Sequence, residues 1–544
     1  VAEDDRRPLP VSGLLSELAP GHPLRWLLVP GKDGAGIDLN LTQLRMPTDD
    51  MLAALVISEM AEGQFRHVVS SGTWHYWNGH YHPADTDNFM RRVVQAFAHA
   101  YGQALRMIEK RAQSAAAAEA VKAHADAEAK GLPAAAAAAQ IDKRFDQVMT
   151  KALGFLKPQF AYGRQLLNDP VQERVYKQLA KMLGTDGSEY DRDKTLVSFA
   201  DGTFELKAPP ERPGWPAGRF RGHRQADKLT SCLAYEFVPA AWEDATGACP
   251  RYVAMMRRLS GDNKELLLYN LGVEALGLIS GNPGELLHFR CGGSNMGKSV
   301  CCTVTGLLAG SRWYSAAADL ICVTEDKGRF RHASVLATLE GKTYVTVDET
   351  DGSMVLDAST LKMLTSTRFM PATELYRPRQ QQMPRDWTIV GNANTGKMPR
   401  IYRSDSGLER RVRIIPVPES DPAGTPLQDG YADLIVDGEG AAVCSLLVMT
   451  AARVLAYGRP EPAAVTGATE AYFESCDVRR AWLRQHIGPA PGSVVSSSQA
   501  YEAFRAELGS LENQAGFSLF IQARGYEIRK DGRGNMMIQN AKWI

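Results

Sequence analysis

The sequence predicts an α/β phosphate-binding core within a multidomain chain, with helical regions ahead of it and a small helix-and-strand module behind it. Three observations carry this. A G-x-x-x-x-G-K-S segment lies between a strand pattern and a helix pattern at 285–308, a β-branched strand ends in two acids at 348–349, and 544 residues are too many for one hydrophobic core.

Composition sets the frame. The 44% hydrophobic and 23% charged residues are those of a folded globular protein. No run approaches the roughly 18 consecutive apolar residues of a membrane span, and Val1-Ala2-Glu3-Asp4-Asp5 is too acidic for a secretory signal, so a cytoplasmic protein with no membrane partner is expected. Lys plus Arg (62) cancel Asp plus Glu (62), which argues against a histone-like coat and confines any nucleic-acid contact to local patches. Eight cysteines without a C-x-x-C pair signal neither a zinc site nor a disulfide framework.

From the amino end, Phe65–Val69, Thr73–Trp77 and His80–His82 are extended aromatic-rich runs broken at Ser71-Gly72 and Asn78-Gly79, which predicts a small meander. His75, His80 and His82 have no acid or cysteine at ligand spacing and read as packing material rather than metal ligands. Residues 86–130 turn helical and rich in alanine (Ala115–Ala118), and Gly131-Leu132-Pro133 separates them from a second helix over 134–153. So little apolar bulk predicts an exposed helical hairpin; a coiled coil lacks its leucine heptads. Asp201-Gly202, between Leu196–Ala200 and Thr203–Leu206, marks a hairpin through the positive φ angles that dipeptide favours. Pro209-Pro210, Pro213-Gly214 and Pro216 then interrupt the pattern before apolar helical sequence at 252–279. These shifts divide the chain into an N-terminal domain (1–207), a linker and helical collar (208–283), the core (284–460) and a C-terminal domain (461–544).

In the core, Glu285–Arg290 reads as a strand, Gly292-Gly293-Ser294-Asn295-Met296-Gly297-Lys298-Ser299 as the loop, and 300–308 as a helix. The glycines let backbone N–H groups wrap phosphate oxygens, the helix N-terminus favours the anion, Lys298 neutralises the β and γ phosphates, and the Ser299 hydroxyl ligates Mg2+. ATP and Mg2+ are the cofactors implied. Lys342–Val347 is the β-branched strand; Asp348 after it would hold the Mg2+ through water while Glu349 polarises the attacking water. Without the loop, these would be ordinary acids at a strand's solvent edge. Asp386–Asn392 is a further buried strand finishing in an amide, suited to hold the lytic water or sense the γ-phosphate, or else a turn cap. Arg410 or Arg411 offers a guanidinium to a neighbouring subunit's ATP, the alternative being a salt-bridged edge. Helices near 469–486, 496–508 and 517–524 then lead into Tyr526–Ile538, two strands about a Gly-rich basic tip. Helices then a wing predict a winged-helix module whose Arg529, Lys530 and Arg533 meet a DNA backbone, with a subunit contact as the alternative.

The order of phosphate loop, Asp-Glu strand, Leu361–Thr365 segment, Asn-ended strand and Arg-Arg pair resembles superfamily 3 helicases, specifically the phage, plasmid and poxvirus primase-helicases. Trp74–Gly79 is similar to that family's W-x-x-W-D-G stretch and Asp201–Leu206 to its N-G-x-x-D-L hairpin, so the resemblance runs from about Met60 to the end. It implies an AAA+-type ATPase that assembles as a homo-oligomer, a hexamer in the family, around single-stranded or forked DNA. Lys298, Ser299, Asp348, Glu349 and Asn392 would sit at one subunit's site, and Arg410 or Arg411 would complete the next. The family's channel-facing hairpin would correspond to the segment with Arg368, Arg377, Arg379 and Gln380–Gln382, followed by Lys397; these cations would track phosphates without reading sequence, the bland alternative being a solvated loop. Relatives have an acid and an arginine where this chain has Arg368 and Thr373.

The expectation is therefore an ATP-driven ring helicase or translocase of a phage or mobile-element replication system, with a primase or polymerase domain or protein as a further partner. A nucleotide-gated DNA-binding initiator or loader that does not unwind is the alternative. Primase chemistry is not expected of these residues: Asp191-Arg192-Asp193 lies in a polar stretch, and no zinc-binding cysteine cluster accompanies it.

Overall fold

The computed structural model describes residues 29–30, 37–38, 47–60, 64–261, 263–280, 285–323, 338–348, 350–366, 369–372, 381–401, 406–420, 427–509 and 512–544. The chain divides into two compact units, Val1–Asp193 with His223–Cys232, and Lys194–Gly222 with Leu233–Ile544. The expected break near residue 208 falls inside the second.

Unit 1 contains α1 (Asp50–Met60), β1 (Phe65–Val68), β2 (Thr73–Tyr76), α2 (Phe89–Ala129), α3 (Ala134–Leu153), α4 (Asp169–Met182) and β3 (Gly184–Thr185). β1 and β2 pair antiparallel as the aromatic alternation predicts, but the third strand is β3, parallel to β1, and not His80–His82. His82 turns inward instead, 1% exposed, its ring Nε2 3.0 Å from the Gln225 carbonyl. Asp85 starts α2 by accepting from the N–H groups of Phe89 (2.6 Å) and Met90 (2.9 Å), two donors the helix cannot satisfy itself. The first half of α2 buries Phe89, Val93, Phe97 and Tyr101 in the unit's core. Beyond it only Ala112, Ala116, Ala120 and Ala127 are buried, and α3 buries nothing, so the helical hairpin is the exposed alanine-faced arm the composition predicts.

Unit 2 opens with the three antiparallel strands β4 (Leu196–Ser198), β5 (Thr203–Glu205) and β6 (Arg219–Arg221). The hairpin is where Asp201-Gly202 predicts it, for another reason: neither residue has a positive φ. Gly202 is required because a Cβ would lie 2.5 Å from the Arg221 carbonyl oxygen, and the Asp201 carboxylate accepts from Phe237 N–H (3.0 Å).

The centre of unit 2 is a five-stranded parallel sheet. Its elements in chain order are α5 (Pro250–Ser260), α6 (Lys264–Gly277), β7 (Leu287–Gly292), α7 (Lys298–Ala309), β8 (Trp313–Ala316), β9 (Tyr344–Val347), the antiparallel pair β10 (Phe369–Ala372) and β11 (Gln381–Pro384), β12 (Thr388–Asn394), β13 (Val412–Val417) and α8 (Tyr431–Tyr457). The sheet order is β8-β9-β12-β7-β13. α8 is an exception to the expected lack of span-like segments. It is long and apolar enough to cross a membrane, yet 67% of its apolar window is buried, in the core it shares with α6 and α7.

After α9 (Ala463–Cys476) come α10 (Val478–His486), β14 (Ile487–Ser496), α11 (Ser497–Leu508), α12 (Gln514–Ala523), β15 (Ile528–Lys530) and β16 (Met536–Trp543). Their antiparallel sheet has the order β14-β16-β15 and closes over Trp482, Phe504 and Phe517. β14 was not foreseen from the sequence.

Candidate nucleotide site

Parallel strands bring their carboxyl ends to one edge, the usual place for ligands in an open α/β sheet. Gly292 ends β7, Asp348 follows β9, Asn394 ends β12, and β12 lies between the other two.

The glycine loop is shaped by backbone proximity. A Cβ on Gly292 would lie 2.0 Å from the Val417 carbonyl oxygen, and one on Gly293 1.9 Å from that of Glu419, so only glycine fits beside the end of β13. Asn295 (φ 59°) and Gly297 (φ 94°) turn the chain into α7 through left-handed conformations. Ser294, Asn295 and Ser299 are exposed while Met296 is buried in the core. From α5, Arg258 Nη2 donates to the Asn295 carbonyl (3.0 Å) and braces the loop.

Lys298 opens α7, and its ammonium donates to the carbonyls of Gly292 (2.9 Å) and Gly293 (2.5 Å) and to Asn394 Oδ1 (3.0 Å). Burial lowers its pKa, with Cys291 and Glu419 opposing. A cation held by three neutral oxygens is poised to exchange them for phosphate oxygens. Ser299 and Asp348 offer a hydroxyl and a carboxylate, the hard oxygen donors suited to Mg2+.

The amide strand corrects the sequence reading. β12 does not finish at Asn392 but runs to Asn394, and the amide that meets Lys298 is Asn394. Asn392 is buried one step behind, its Nδ2 donating to Asp348 Oδ1 (2.7 Å) and to Cys302 Sγ (3.3 Å). Strand alternation carried the missed signal, because residues two apart share a face and Asn392-Ala393-Asn394 therefore presents two amides. Neither Arg258 nor Cys302 left a comparable trace in the sequence.

The arginine pair is split. Arg411 is buried, its Nη1 donating to the Gly407 carbonyl (2.7 Å) and its Nη2 3.7 Å from Glu285, so its guanidinium is committed inside its own chain. Arg410 is exposed and has no hydrogen bond or ion pair among the described residues. Glu349, Arg368, Arg377 and Arg379 lie outside the described residues, the last two in the segment between β10 and β11. Lys397 is exposed just beyond β12. At the C-terminal tip, Asp531 accepts from Arg533 N–H (2.8 Å) and Asn535 N–H (2.8 Å). Arg529 is paired with Glu527 (2.7 Å), whereas Lys530 and the Arg533 side chain are exposed. Among the described residues, no three His, Cys, Asp or Glu side chains form a candidate metal cluster, and all eight cysteines are free thiols.

Residues 53–260 match the family described as D5 N terminal like. No curated protein matches the chain. An A-form apo structure of the NrS-1 C-terminal region is similar with 10% identity and a TM-score of 0.31, over 63% of this chain and 96% of that one. A second A-form apo structure of that region aligns with 11% identity and a TM-score of 0.31, over 64% and 97%.

Proposed function

We propose that this chain is an ATP-hydrolysing DNA helicase or translocase of a phage or mobile-element replication system, working as an AAA+-type hexameric ring. One observation carries the reading: the Lys298 ammonium rests in its own glycine loop within 3.0 Å of a strand-end amide, Asn394, with Asp348 one strand further along the same edge. Two strand spacings, about 10 Å, separate β7 from β9 and leave room for a triphosphate and its metal. The D5 N terminal like match upstream supports a replication setting of the primase-helicase type.

Lys298 neutralises the β and γ phosphates and Asn394 donates a side-chain N–H to the γ-phosphate, while Ser299 and Asp348 would hold Mg2+, which would supply further charge neutralisation. Glu349 takes the proton of the attacking water. Arg410, exposed where Arg411 is not, reaches the neighbouring subunit's nucleotide. Lys397, Arg377, Arg379, Lys530 and Arg533 supply phosphate contacts, and the helix–strand–helix–helix–strand–strand module at 478–543 acts as a winged helix.

A forked-duplex strand-displacement assay with ATP tests the reading. Wild type unwinds; Lys298→Ala loses nucleotide binding, and Glu349→Gln binds ATP without turnover. A chain that binds the fork and hydrolyses ATP but leaves the duplex paired is a loader, not a helicase. Mixed Arg410→Ala and Glu349→Gln subunits regain activity where two intact halves meet; no recovery refutes the shared site.

A further inference from the structure

We infer that Asn392 is a positioning residue that fixes the orientation of the Asp348 carboxylate, and that a buried string of side chains behind it sets its own orientation. The inference rests on the nucleotide-site reading above and adds to it a division of labour between the two amides of β12.

Sheet register aligns the residues. Asn392 pairs with Arg290 on β7, and Val347 with Gly391, which puts Asp348 beside Asn392 in the next row. Arg290, Asn392 and Asp348 thus form one line across three strands, with Gly292 and Asn394 two rows nearer the loop. α7 drops Cys302 onto this line, where its sulfur receives hydrogen bonds from Asn392 Nδ2 (3.3 Å) and Arg290 Nη1 (3.4 Å). Arg290 is in turn fixed by the buried Glu274 carboxylate and by Asn270 Oδ1 (3.2 Å), and Glu274 accepts from the Tyr344 hydroxyl (2.7 Å). None of these groups can swing, since Arg290, Glu274, Tyr344 and Asn270 are all 0% exposed.

Asn392 turns its NH2 toward Asp348 and its oxygen away. That oxygen is buried without a hydrogen-bond partner among the described residues, a cost that a freely chosen rotamer would avoid. Asn392 holds one carboxylate oxygen of Asp348 and leaves the other without a hydrogen bond among the described residues, open to a ligand at the strand edge. Partners of this kind behind a metal ligand tune affinity rather than make it.

The test separates metal from nucleotide. Mn2+ binding to the full chain with saturating ADP, read by electron paramagnetic resonance, is compared with ADP affinity in EDTA. Asn392→Ala is expected to weaken Mn2+ about tenfold with ADP affinity in EDTA unchanged, and Asn392→Ser, which keeps a donor, to recover part of the loss. Cys302→Ala, at a residue whose hydrogen bonds go to Asn392 and Arg290 and not to Asp348, shifts Mn2+ affinity in the same direction and carries the test if Asn392→Ala does not fold. Unchanged Mn2+ affinity in both, or an equal loss of metal-free ADP binding, overturns the inference. Wild type that binds no ADP in EDTA overturns the nucleotide site itself.

Discussion

Gly293 has no space for a methyl group, because the Glu419 carbonyl oxygen lies 1.9 Å from where its Cβ would sit and backbone cannot step aside cheaply. Gly293→Ala is expected to cost about 1–3 kcal/mol and to remove nucleotide binding, checked by urea melts with and without ADP. The buried Arg290–Glu274 pair behaves differently. Arg290→Met alone strands a carboxylate and should cost about 3–5 kcal/mol, whereas Arg290→Met with Glu274→Leu should lose less than either single change; a strictly additive double mutant would disprove the coupling. Single residues also show where sequence reading ends. The loop was legible because its chemistry is contiguous, while the choice between Asn392 and Asn394 depended on where β12 stops, and that is decided by pairing with Gly292 a hundred residues away. Arg410 and Arg411 are indistinguishable as letters; burial tells them apart.

Among the elements, α5 owes its start to a helix far along the chain. Glu439 on α8 accepts from Arg251 N–H (3.0 Å) and Tyr252 N–H (3.0 Å), placing a carboxylate where the α5 dipole is positive. Glu439→Gln is expected to cost about 1–2 kcal/mol and to speed amide exchange selectively in residues 250–256. The long apolar and alanine-rich helices were readable because their periodicity is internal. β14 was not: Gly488, Pro489, Pro491 and Gly492 look like loop, and its register with β16 breaks between Pro489 and Val494. β3 is two residues that become a strand only because β1 lies alongside.

For the whole molecule, acidity is the lever with a defined sign. His82 is buried, and burial pulls its pKa from 6.5 to about 4, so the folded form holds it neutral where the unfolded chain would protonate it. The stability this neutral ring permits is complete above pH 6.5 and falls as pH drops toward 4, by about 2 kcal/mol between pH 7 and 5. Amide exchange in residues 65–76 should quicken over that range, and His82→Gln should flatten the dependence; an equally steep profile in the variant would exclude the histidine. The strand order has a consequence for synthesis. β7 finds neighbours only in β12 and β13, so a nascent chain that has not reached Thr388 carries the glycine loop on a strand with both flanks bare. The setting of the glycine loop cannot be built by a short amino-terminal fragment; it forms only when the later third of the polypeptide folds back to flank β7.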